Sequence, residues 1–198
     1  MRRRRKRAST FKPTDAADVY GRRTVTVLDP MLEALTADGP ARGLEDKLML
    51  YGQFVGEWEF DWTGYDAAGN ETLTAPGEWC FAWVLQGRAV QDVWICPARD
   101  LYGSPDCPPQ REYGTTVRFY DPEADLWRIV WCGPGFGNLR TFLATQRGDE
   151  IVQEGTTPDG EPLNWIFSDI TASSFRWRSQ VLRGDDWRLR ERMSVRRR

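Results

Sequence analysis

The stretch GEWEFDW (Gly56–Trp62) returns almost unchanged as GEWCFAW (Gly77–Trp83), and the two heptads hold four of the chain's ten tryptophans. Side chains of a β-strand alternate between two faces. In the first heptad Trp58, Phe60 and Trp62 therefore share one face, and Glu57, Glu59 and Asp61 share the other. In the second, Trp79, Phe81 and Trp83 line up in the same way. Two neighbouring strands with one face against a common aromatic interior account for this pattern better than a duplicated domain.

The same alternation continues to the end of the chain. Apolar sets recur at Trp127, Ile129 and Trp131, at Leu163, Trp165 and Phe167, at Phe175, Trp177 and Val181, and at Trp187, Leu189, Met193 and Val195. Turn signals such as QGR, YDPEAD, CGPGFGN, TPDGEP and RGDD separate the runs. About ten strands joined by short turns predict a mainly β protein, a single antiparallel up-and-down β-barrel. Closure removes the exposed edges that so long a meander would otherwise leave. The last strand presents Arg188, Arg190 and Arg192 on its polar face, which should meet Glu57, Glu59 and Asp61 of the first.

Upstream, LEDKLMLYGQFVG places Leu44, Leu48, Tyr51 and Val55 at helical spacing, and Asp29-Pro30 opens a shorter helical run. The domain reading is residues 1–29 as a basic, flexible tail, 30–55 as short helices capping the barrel, and 56–198 as the barrel. Residues 2–7 and 196–198 supply nine positive charges; without them 18 basic residues face 29 acidic ones, a balance of about −11. Nucleic acid is therefore an unfavoured partner. No apolar stretch reaches a membrane span, and no apolar segment follows the basic start as an export signal requires. A cytoplasmic location is expected, and with it free thiols, although Cys96 and Cys107 flank a loop and a disulfide between them stays open.

The chain contains no histidine. That excludes Ser-His-Asp and Cys-His catalysis and His-ligated haem, and no metal site is expected. Acid–base chemistry would have to come from Asp, Glu, Tyr, Lys, Cys or Arg.

The entry LYGQFVGEWEF (Leu50–Phe60), with Gly-x-Trp at Gly56–Trp58, resembles the calycins, the lipocalin, fatty-acid-binding and nitrobindin-like barrels. WCFAWVLQGRAVQDVW (Trp79–Trp94), FYDPEADLWRIVW (Phe119–Trp131) and DDWRLRERMSVRR (Asp185–Arg197) more closely resemble a lipocalin-like bacterial family of largely unassigned function. The resemblance spans roughly residues 45–197. It implies a ligand-holding barrel. Haem binding of the nitrobindin kind is not carried over, since the histidine ligand is missing, and no cofactor is expected.

Trp58, Trp62, Trp79, Trp83, Tyr120, Trp131, Arg140 and Trp165 are the candidate ligand contacts, since barrels of this size usually enclose space. Glu191 falls in phase with Trp187, Leu189, Met193 and Val195, and Asp92 and Arg88 share a phase on their strand. These three are the candidates for acid–base chemistry or charge stabilisation. Each has a structural alternative, namely an ion pair at the barrel end for Glu191 and a mutual pair for Arg88 and Asp92. The partner expected is a small apolar or aromatic molecule, with a homodimer left open. The alternative reading is a cofactor-independent cyclase, isomerase or lyase.

Overall fold

The computed structural model describes residues 28–105, 107, 108 and 111–198. The Arg-rich start lies outside the described residues. Two short helices, α1 (Leu28–Leu35) and α2 (Glu45–Gly52), precede ten strands. In chain order these are β1 (Gly56–Tyr65), β2 (Glu71–Val84), β3 (Ala89–Cys96), β4 (Glu112–Asp121), β5 (Leu126–Gly133), β6 (Asn138–Arg147), β7 (Glu150–Thr156), β8 (Pro162–Ser168), β9 (Ser174–Arg183) and β10 (Asp186–Arg197). Every strand pairs antiparallel with its neighbours in sequence, and β1 pairs with β10, so the sheet is a closed up-and-down barrel. The two aromatic heptads are adjacent, with Trp58 opposite Trp79.

Closure occurs where the alternation predicts, but with other arginines. The register sets Glu59 opposite Arg196 and Thr63 opposite Arg192. Arg196 reaches both Glu59 and Asp61, at 3.5 and 3.0 Å, and Arg192 reaches Glu71 at 2.7 Å. Arg188 turns back to Asp186 of its own strand. Arg196 and Arg197, expected to belong to a basic terminus, are part of β10 itself. These exposed pairs contribute about 0.2–1 kcal/mol each, so their main role is to mark the register.

The helical end of the barrel is filled. Leu48, Tyr51 and Phe54 are fully buried, and Phe54 packs on Phe167 and Phe175 at ring-centroid distances of 5.0 and 4.8 Å. The Trp58 indole N–H donates to the Phe54 carbonyl at 2.7 Å, which ties the first strand to this plug. Room for such large rings comes from glycines on the neighbouring strands. Gly77 lies opposite Phe60, and a Cβ there would sit 2.1 Å from the Phe60 ring. A Cβ on Gly114 would meet the Trp131 ring at 2.2 Å.

One ion pair is sealed inside this end. Arg118 and Asp92 are each about 1% exposed and meet at 2.5 Å, while Asp92 also accepts from the Thr116 backbone N–H at 3.0 Å. The Arg118 guanidinium lies over the rings of Tyr51, Phe81 and Phe167, at 5.3 to 5.9 Å. Asp92 is therefore paired with Arg118 and not with Arg88, which is exposed in the β2–β3 turn. On β4 the apolar Val117 and Phe119 face outward, and Arg118 and Tyr120 face in.

Removing one partner of a buried pair strands the other charge, which costs about 3–5 kcal/mol. Asp92→Ala should lower stability by about that amount in urea unfolding, whereas Arg196→Ala should cost less than about 1 kcal/mol.

Candidate functional site: a tryptophan-lined cavity

At the other end the interior is hollow. Trp62, Trp94, Trp131 and Trp165 point inward with the core set, yet each is only half-buried. In a filled core they would be covered as Trp58 and Trp127 are, at 1% and 2% exposure. Their accessible surface belongs to a cavity of about 310 Å³. The rings form a connected wall: Trp94 meets Trp131, and Trp131 meets Trp165, edge-to-face at 6.0 Å each, and Trp165 meets Trp177 at 5.5 Å. The Trp94 indole N–H points at Met193 Sδ, 3.3 Å away. Ala75, opposite Trp62, and Ser179, opposite Glu191, are the small residues that keep the space open.

The polar groups come from β10, β6 and β4. Glu191, Arg190, Arg140, Asn138 and Glu112 line the cavity. Glu191 comes from β10, where it lies opposite Gly64 of β1 and Ser179 of β9. A β-bulge precedes it: Leu189 pairs with Gln180 and Glu191 with Ser179, which leaves Arg190 unpaired. An extra residue in one strand shifts the facing of everything before it. As a result Arg190, expected on the outer face, lines the cavity. The same shift takes Leu189 and Trp187 out of the interior set, and Trp187 is 42% exposed.

Burial pushes the Glu191 carboxyl above its ordinary value, and the nearby Arg190, the Trp62 side chain and Arg140 only partly oppose that. The group thus holds its proton more readily than a surface glutamate. The Cys96 thiol, also on the cavity wall, is pushed up to about 12 by burial and then by the Glu191 charge. It is a protonated structural thiol and a poor nucleophile. All four cysteines are unpaired. The second carboxyl, Glu112, is turned toward the Gly133–Asn138 loop, where Gly135 N–H donates to it at 2.8 Å. Phe136 and Asn138 of that loop stand at the rim. Among the described residues no cluster of His, Cys, Asp or Glu is arranged to hold a metal ion, and no helix is long and apolar enough to cross a membrane.

Of the residues singled out by alternation, Glu191, Trp62, Trp79, Trp131, Arg140 and Trp165 come together on this cavity. Trp58 and Trp83 lie away from it, Trp58 in the plug and Trp83 against Gly52 of α2. Tyr120 is at the helical end, bonded to Asp125, which also takes Lys47 at 2.6 Å. Asp92 and Arg88 do not reach the cavity either. Trp94, Trp177, Glu112 and Arg190 were not anticipated. Phase placed Trp177 with Phe175 and Val181 but could not orient Trp94, whose strand is apolar on both faces; a bulge leaves no mark in the alternation, so Arg190 was hidden.

No protein-family model and no curated protein matches the chain. Among solved structures it is similar to the S-type phycobiliprotein lyase CPES of Guillardia theta, with a TM-score of 0.53 over 76% of this chain and 91% of that one. The identity is 11%, so the likeness concerns the barrel fold alone.

A carboxyl whose folded value is raised stabilises the protonated fold, and that contribution is lost as pH rises from about 4.5 through the folded value. Glu78 acts in the opposite sense: its bonds to Arg99 hold it at about 2, so its contribution is lost as pH falls below about 4.5. Glu191→Gln should therefore be at least as stable as the parent at about pH 7, with the difference shrinking toward about pH 4, as read from urea midpoints across that range.

Proposed function

We propose that the barrel binds a small, largely apolar or aromatic molecule in the tryptophan-lined cavity. The observation that carries this reading is the combination of four inward-facing yet accessible tryptophans with a few polar groups on the same cavity wall. A mostly apolar concavity with a few convergent polar groups is the usual form of a ligand site. The volume is about twice that of an apolar void known to hold benzene, so it suits a body of one or two rings or a short polyene. The narrower kinship with lipocalin-like carriers belongs to the same reading. The structural neighbour is a lyase of phycobiliproteins, which is compatible with a small-molecule role.

A second reading is a cofactor-independent cyclase, isomerase or lyase. It is favoured by one specific observation: Glu191 lines the cavity near Arg190 and Arg140 and an aromatic wall, where burial raises its carboxyl above the ordinary value. Such a group can donate a proton to an apolar substrate, and the arginines can stabilise developing negative charge. Asp92 and Arg88 have no part in this version.

Titration of tryptophan fluorescence with a panel of one- and two-ring aromatics and short polyenes tests the binding reading. Saturable quenching is expected with the parent, and at least about tenfold weaker binding with Ala75→Phe, which fills the cavity opposite Trp62. Absence of quenching by every member would overturn it. Retained binding with turnover abolished in Glu191→Gln would select the enzyme.

A further inference from the structure

The arginines differ in their partners, and Arg197, outside the cavity, bonds only backbone carbonyls. On the outside of the barrel, Arg128, Arg147, Arg178, Arg192 and Arg196 each meet a carboxylate within 3.0 Å. The two arginines on the cavity wall, Arg140 and Arg190, have no carboxylate within 4.0 Å among the described residues. Arg140 spends two of its N–H groups locally, on the Leu139 carbonyl at 3.2 Å and the Asn138 side-chain oxygen at 3.3 Å. A guanidinium carries five N–H donors and no acceptor. Most of the donors of these two side chains are therefore uncommitted.

Neither carboxyl on the wall lies within 4.0 Å of these guanidinium groups. Glu112 accepts backbone N–H groups from Gly135 and Tyr113 on one of its oxygens. Glu191 lies near Arg190, Trp62 and Arg140, and burial disfavours its charge. The cavity wall thus carries an excess of uncommitted guanidinium donors. The bulge that adds Arg190 to the wall is what creates the excess, because strict alternation would have sent that side chain outside.

Building on the ligand-binding reading above, we infer that the molecule held here is an aromatic or polyene carboxylic acid. Its flat body lies among Trp94, Trp131 and Trp165, and its carboxylate faces Arg140 and Arg190. A planar carboxylate matches a guanidinium fork with two parallel hydrogen bonds, which a neutral carbonyl or an alcohol does not.

Calorimetric titration of the full chain with 2-naphthoate, 2-naphthamide and 2-naphthylmethylammonium separates the possibilities, since the three share one apolar body. The expected result is that naphthoate binds at least about tenfold more tightly than the amide, and that the ammonium ion is the weakest. Arg190→Gln and Arg140→Gln should each weaken naphthoate about tenfold and leave the amide unchanged. Arg190 is exposed at the rim, so its replacement does not threaten folding. If the amide binds as tightly as naphthoate, or neither variant changes the difference between them, the carboxylate inference is overturned and the cavity reading stands. If none of the three binds and the aromatic panel also fails, both are overturned.

Discussion

The pairing of β1 with β10 is the constraint on which the rest of the structure depends. It joins residues more than 120 positions apart and gives both terminal strands partners for their backbone groups. It also sets the one register that puts Trp58, Phe60 and Trp62 inside together with Val195, Met193 and Glu191. A slip of one residue would turn the tryptophans to solvent and the acids of β1 into the core. The outer ion pairs of Arg192 and Arg196 lie along this seam. They are too weak to close the barrel, but the contacts of Arg196 with Glu59 and Asp61 match one alignment of β1 and β10, and Arg192 reaches past β1 to Glu71 of β2.

Closure alone would leave a tube, and its two ends have been treated differently. At one end α2 drives Tyr51 and Phe54 into the opening, and the buried Arg118–Asp92 pair is enclosed by aromatic rings. At the other end the same kind of ring lines a space that no side chain fills. Small residues shape both parts. Gly77 and Gly114 admit the rings of Phe60 and Trp131, while Ala75 and Ser179 leave room that nothing occupies. The aromatic wall is thus continuous from core to cavity, and what changes along it is the size of the residues facing the rings.

Much of the architecture was legible from alternation, because burial of one strand face is written into the sequence with a period of two. Strand number, order and the inward set of Trp62, Trp131 and Trp165 all follow from it. Phase is silent where both faces are apolar or where a turn intervenes. Asp92 and Arg88 share a phase, yet Arg88 sits in a turn and faces solvent, and Asp92 pairs across the sheet with Arg118. Trp58 and Trp83 share a phase with Trp62 and Trp79. What separates them is contact with the helical segment: Trp58 bonds the Phe54 carbonyl and Trp83 lies against Gly52.

The pattern of aromatic and acidic residues was enough to specify a closed antiparallel barrel with tryptophans inside and no histidine chemistry. That follows because hydrophobic burial acts on local periodicity. Which tryptophans border empty space, which carboxylate lies beside them and which arginines lack partners depended on the folded chain. The position of a bulge, the height of a ring and the partner of a charge are set by distant strands, and local periodicity carries no record of them.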